Sequence, residues 1–389
     1  MRLLHFSMLW LLGSAGSVAD AFELGAPGDL LSVDVHAFIS QGYIGTTANN
    51  YLAPSEWNRK QYGSFEFTEA GLTVSKQLTD HLRTGIQLFG QKLGPLGGLG
   101  VQLDWFLLDY RLKDWLGIRA GRVKAPFGLY NDINDIDAAR LPVLLPQSIY
   151  QASSRDYFLA VDGTELYGLI KMARAGAIDY GIYGGTSLLN TTSGSATQIV
   201  SLTTPYVAGG RLMWETPLEG LRFGASVRTL RIDTTLLLPV INKPVFLRIP
   251  ATLFIASIEY ANNGLLLALE YGRWYVDIET SDAKLFPASS TVADRAYLMA
   301  NYRLTPWFQF GAYYSLIYPN EQLTSGKENQ QHDLAATLRF DINNFWLVKI
   351  EGHFMHGTAG LTPALNDGHP LTALEGDWGV VLAKTTAHF

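Results

Sequence analysis

The chain has no cysteine, so neither a disulfide framework nor a thiolate metal site is open to it. Charge is scarce too: Asp, Glu, Lys and Arg supply 16% of the 389 residues, where a soluble domain carries about 25%. Beyond the N-terminal segment no apolar run reaches the roughly 18 residues of a membrane-crossing helix, which excludes a helical membrane protein. No G-x-S-x-G elbow occurs. The 8 His come close to ligand spacing only at His353 and His356, near the end of an expected strand. What is plentiful is aromatic residues, 12%, and glycine, 38 in all. That composition suits strands flanked by aromatic girdles in a single domain.

The N-terminus carries Arg2, an apolar segment around Phe6 to Leu12, and small residues ending in Ala19-Asp20-Ala21, a signal-peptide pattern with an A-x-A cleavage site. Its apolar part is too short for a bilayer core of about 30 Å. We expect export, with residues 1–21 removed and residues 22–389 forming the mature domain. Arg2 and Asp20 leave together, so the formal charge stays at −6, and no nucleic-acid partner is expected.

The membrane signal is alternation. From Asp333 to Ile342 the even positions Leu334, Ala336, Leu338, Phe340 and Ile342 are apolar, while Asp333, Thr337, Arg339 and Asp341 lie between them. Successive side chains then face opposite media. Lys349, Glu351 and His353 likewise oppose Trp346, Val348, Ile350 and Phe354. Charges on that face exclude a dry core behind it. Sixteen such strands are expected, at 31–43, 64–76, 81–90, 101–112, 116–124, 164–173, 177–185, 206–215, 221–231, 251–260, 265–276, 294–304, 307–317, 332–342, 345–355 and 377–389. Seven connections are tight, near Thr79, Asp114, Gly176, Pro217, Asn263, Pro306 and Asn344, each among residues that favour turns. Eight longer ones, at 44–63, 91–100, 125–163, 186–205, 232–250, 277–293, 318–331 and 356–376, alternate with them. A barrel with both chain ends on the periplasmic side needs that arrangement of short turns inside and long loops outside.

The layout predicts an all-β fold: a transmembrane antiparallel β-barrel in the bacterial outer membrane, surrounded by lipid, whose closure leaves no edge strand. Seven of the 9 Trp, namely Trp105, Trp115, Trp214, Trp274, Trp307, Trp346 and Trp378, lie in or beside the strands, as in headgroup girdles. A soluble sandwich or propeller would also show many short strands. Its outer face would be loosely polar, whereas here one face is ionisable and the other apolar and aromatic. The ionisable face mixes Arg83, Arg111, Arg119, Lys171, Arg211, Arg222, Arg228, Arg295, Arg303, Arg339 and Lys349 with Asp34, Asp109, Asp179, Glu215, Glu259, Asp333, Asp341 and Glu351.

The longest connection, 125–163, follows the fifth strand. Its length marks it as functional, and inside a barrel such a loop can fold inward and narrow the lumen. It carries Asp132, Asp135, Asp137, Asp156 and Asp162 against Arg140 and Arg155. The run from Asn131 to Asp137 lacks the Gly and the closing Glu of a helix-loop-helix calcium site, Val143 standing where that Glu belongs. A solvated or Arg-paired loop is expected there, with no metal and no cofactor.

At the mouth of that loop, Gly121-Arg122-Val123-Lys124-Ala125-Pro126-Phe127-Gly128 resembles the G-x-x-K-x-P-F-G segment of the phosphate-selective porin O and P family of Gram-negative outer membranes. The resemblance implies a homotrimeric sixteen-strand barrel with its third loop in the pore. It also implies passive diffusion of small hydrophilic solutes, anions such as phosphate among them, with Lys124 at the constriction. Around Lys124 we place Arg122, Arg140, Arg155, Asp132, Asp135 and Asp137. Lys124, Arg140 and Arg155 form the cationic side, facing the acidic cluster. Arg119, Arg228, Arg303, Arg339 and Lys349 line the lumen wall. The terminal Phe389 resembles the C-terminal signature of outer-membrane barrels, which the barrel-assembly machinery reads.

The chain also departs from the family: a phosphate-selective pore stacks cations along its path, whereas this loop and wall are mixed. No enzyme is expected. A phospholipase-like barrel needs a nucleophile and a His base on neighbouring lipid-facing positions, and His36, His81 and His353 fall on the polar face. A non-conducting sheath or adhesin is the remaining alternative. On this register Ile350→Arg is expected to damage assembly and Lys349→Gln to spare it.

Overall fold

The computed structural model describes residues 22–24, 33–58, 61–187, 198–238 and 243–389. The expected signal segment, 1–21, lies outside the described residues. The barrel strands are β1 (Val33–Thr46), β2 (Phe67–Gln77), β3 (Leu82–Leu93), β4 (Gln102–Lys113), β5 (Leu116–Lys124), β6 (Ala160–Lys171), β7 (Ala177–Thr186) and β8 (Gln198–Glu215). They continue as β9 (Leu221–Leu238), β10 (Lys243–Asn262), β11 (Leu265–Thr280), β12 (Ser289–Thr305), β13 (Phe308–Tyr318), β14 (Gln331–Asn343), β15 (Trp346–Gly357) and β16 (Asp377–His388).

Each strand pairs antiparallel with its sequence neighbours, and β16 returns to β1 from Val380↔Thr46 to His388↔Phe38. The seam is completed by Phe389, whose backbone N–H and C=O bond Ala37 at 3.0 and 3.1 Å. Closure pairs the backbone all the way round, which is the condition for strands to cross lipid. A short strand, Phe22–Leu24, lies beside Val33–Val35.

Alternation sorts the side chains as expected. Ile350, Phe354, Leu334, Leu338, Leu298 and Leu304 point outward and are exposed, whereas Lys349, Glu351, His353, Asp333 and Arg339 point inward and are buried. All seven tight turns fall where turn residues cluster.

The long connections are less well read. Residues 232–250, expected as a loop, are largely strand: β9 and β10 stay paired out to Leu238↔Lys243. The apolar alternation carries on there, with Val245 and Leu247 buried and Phe246 exposed, so pairing continues past the expected strand ends. β8 and β11 are also longer than expected. The β8–β9 ladder slips between Thr203 and Tyr206, around Pro205, which cannot donate a rung.

Two further expectations are corrected. The inward face is not free of dry core. One apolar cluster packs Phe127, Tyr130, Ile149 and Phe158 against Met213, Leu253, Trp274 and Tyr297 inside the lumen, and another packs Val143 and Leu144 against Phe67, Met355, Trp378 and Leu382. The girdle is also smaller than expected. Trp115, Trp214, Trp307 and Trp346 are exposed beside short turns, but Trp274 and Trp378 are buried inside, and the indole of Trp105 donates to Gln87 at 2.9 Å.

Candidate functional site

The third loop leaves β5 and enters the barrel. The last rung is the Ala125 N–H bonding Leu159 at 2.9 Å; Pro126 has no N–H to offer, so pairing stops there. Phe127 stacks on Phe158, and Phe158 on Trp274 of β11. At Gly128 the backbone turns with φ +64°, and a Cβ there would lie 2.5 Å from the Tyr150 hydroxyl. Only glycine meets both demands.

Beyond that point the loop is held by wall carboxylates. Glu270, completely buried, accepts from the Leu129 N–H at 2.9 Å, from Tyr297 at 2.8 Å, from Ser257 and from Tyr150. Glu259 accepts from the Tyr130 hydroxyl at 2.9 Å and pairs with Arg222 at 2.7 Å. On the far side Glu351 accepts the N–H groups of Val143 and Leu144 at 2.7 and 3.0 Å, with Thr337 and His353 behind it. The loop turns buried donors toward these acids, and at Glu270, which has no cation beside it among the described residues, they supply part of the compensation a buried carboxylate needs.

The loop's own charges are paired at contact distance. Lys124 lies 2.7 Å from Asp135 and also donates to the Asp132 carbonyl at 3.1 Å. Arg155 grips Asp104 with two bonds of 2.9 Å and lies over the Phe89 ring. Asp132 pairs with Arg211 at 2.8 Å, and Arg122 with Asp162 at 2.8 Å. Asp137 meets Lys349 at 3.1 Å, Lys384 at 3.2 Å and the Thr386 hydroxyl at 2.7 Å. Arg140 bonds the Val143 carbonyl at 2.6 Å and comes within 3.9 Å of Asp137. The expected face-off across open lumen, cations on one side and acids on the other, is therefore replaced by direct pairs. The Asn131 to Asp137 run is a Lys- and Arg-paired segment.

The wall residues divide. Arg119 bridges Asp109 and Glu165 at 3.1 and 3.0 Å. Arg228 is buried and donates to the Phe158 carbonyl at 2.7 Å. Arg339 holds Asp341 at 2.7 Å and reaches the loop at the Ala138 carbonyl, also 2.7 Å. Lys349 holds the loop at Asp137. The Arg303 guanidinium makes no hydrogen bond or ion pair with a described residue, although its backbone N–H donates to the Gly264 carbonyl at 2.9 Å. His353 faces inward against Asp333 at 2.8 Å, while His356 faces outward against Asp377 at 2.7 Å.

Residues missed in the sequence include Glu270, Asp104, Gln87, Glu69 and Lys384. Glu270 had a signal: it is the charged residue in the inward series Leu266, Ala268, Glu270, Gly272, Trp274. Lys384 shares parity with Val380 and Leu382, and that apolar company hid its inward direction.

No family model and no curated protein matches the chain. Solved structures do. OmpT of Vibrio cholerae, expressed in the outer membrane, superposes with a TM-score of 0.62 at 10% identity, over 94% of this chain and 100% of that one. An anion-selective porin from Comamonas acidovorans gives 0.58 at 11%, over 92% and 99%. Salmonella typhi OmpF, in complex with daunomycin, gives 0.59 at 11%, over 94% and 100%. At such identities the likeness is one of fold: the chain has the sixteen-strand barrel of bacterial outer-membrane porins.

Proposed function

We propose that this chain is an outer-membrane diffusion channel for small hydrophilic solutes, exported by residues 1–21 and working without catalysis as a homotrimer. The observation that carries the reading is one closed wall, apolar outside and charged inside, with its longest loop anchored across the lumen. A barrel that only spanned lipid would need no inward loop held by acids on opposite walls. The trimer is favoured by the fold shared with Vibrio cholerae OmpT, of which a trimer form is solved.

The constriction is assigned to Lys124, Arg122, Arg140, Arg155, Asp132, Asp135 and Asp137, all on the loop or its first strand. Membership of the phosphate-selective O and P family is the finer reading, supported by the Gly121 to Gly128 segment. Single-channel recording in planar bilayers tests the channel, and a barrel that never conducts would favour a sheath or an enzyme. Reversal potential in a salt gradient tests the anion preference: Lys124→Glu should shift it toward cations. If the potential does not move, Lys124 is only the partner of Asp135.

A further inference from the structure

We infer that the loop-bearing mouth of the barrel holds a binding site for a neutral polyhydroxylated solute such as a monosaccharide, a selectivity step that rests on the channel reading above. A cavity of about 50 Å³ lies there between the first, third and eighth loops and the loop-side ends of β13, β14 and β15. At about 10–15 Å³ per water-sized group, it takes a few hydroxyls of a ring and leaves the rest outside.

Its lining sets polar groups beside the apolar side chains of Leu52, Ile317 and Met355. The hydroxyls of Tyr51, Ser153 and Ser315 and the amide nitrogen of Gln151 face one small space and make no hydrogen bond with any described residue. Ser315 and Tyr51 are buried residues whose hydroxyls open onto the cavity, so a ligand there can reach them. Among the described residues that line the cavity there is no lysine or arginine. The charge present is the carboxylate of Asp333, oriented by His353 at 2.8 Å and Tyr313 at 3.2 Å.

That combination discriminates. Phosphate offers acceptors and negative charge, and would meet the Asp333 carboxylate, whose partner His353 is shared with Glu351, so that two acids stand against one base. A sugar hydroxyl can donate to Asp333 and accept from Tyr51 or Gln151 in the same place. The Tyr51 ring, packed edge-on against Trp378 at 5.3 Å, gives the apolar side that a sugar ring also requires.

The test uses the full barrel in detergent, with D-glucose and inorganic phosphate as separate probes. Saturation-transfer NMR should show glucose bound by the wild type. In the double variant Tyr51→Phe with Ser315→Ala its apparent affinity should fall by about tenfold. Gln151→Ala, outside the barrel ladder, should show a loss in the same direction and serves if the double variant fails to fold by heat-modifiable gel mobility. Phosphate should give no binding that these variants alter. Absence of glucose transfer, equal transfer in all the folded proteins, or phosphate binding lost in the variants would each overturn the site. Failure of the channel reading is separate: a barrel that binds glucose but never conducts keeps the site and loses the channel.

Discussion

At Asp137 two lysines, one hydroxyl and, further off, Arg140 converge on a loop carboxylate that is 1% exposed. Burial alone would raise its pKa, but Lys349, Lys384 and Arg140 outweigh it and hold the carboxyl well below its ordinary range. A depressed folded pKa means that the stabilisation is complete above the unfolded value, near pH 4, and is lost as pH falls through the folded one. Asp137→Asn should therefore cost about 3 kcal/mol. The difference in urea midpoint from the wild type should shrink as pH falls below about 4. A difference that stayed undiminished down to about pH 2 would refute the assignment. The same cluster revises the expectation for Lys349, which is completely buried rather than a tolerant wall residue. Lys349→Gln removes bonds to the Asp137 carboxylate and to the Asp137 and Arg140 carbonyls, and should cost about 1.5–3 kcal/mol. Ile350→Arg, one residue on and lipid-facing, should cost about 2–4 kcal/mol if it lies near the midplane. Folding yields by heat-modifiable gel mobility compare the two, and a wild-type yield for Ile350→Arg would mean that the register is wrong.

Strand parity, the seven turns and the position of the long loop were legible because each depends on residues a few positions apart. The path of the third loop was not, since Val143 and Glu351 are 208 residues apart and only closure of the barrel brings them together. Its aspartates looked like a free acidic cluster because their partners, Arg211, Lys349 and Lys384, sit on distant strands. The inward apolar positions were misread for a related reason. A porin wall without a plug would keep them polar, and Trp274 and Met213 make sense only once Phe158 and the rest of the loop cover them. If the loop is a separate element seated in a finished barrel, deleting Asn134 to Gln147 should raise conductance several-fold and leave the strands folded. The lysines left by Asp137 would then face water, which removes most of the cost of unpairing them. An unchanged conductance would show that the loop does not set the narrowest point, and loss of the folded band would show that the wall depends on it.

For the molecule as a whole the decisive feature is the seam, where the last strand meets the first and makes every other strand interior. Phe389 contributes there through its backbone, two hydrogen bonds to Ala37, while its side chain is 44% exposed at the rim. The seam and the expected assembly signal thus use different parts of one residue, and a substitution can separate them. Phe389→Ala keeps both backbone bonds and removes a half-exposed ring, so refolding in detergent should stay within about 1 kcal/mol of the wild type. Removing the residue altogether takes away the two bonds as well and should cost more, about 1–3 kcal/mol. If the ring is what the assembly machinery reads, Phe389→Ala should cut the amount of folded barrel in cells while its denaturant midpoint after refolding in vitro hardly moves. Equal deficits in cells and in vitro would instead make the ring a structural part of the seam and leave assembly without a C-terminal signal in this chain.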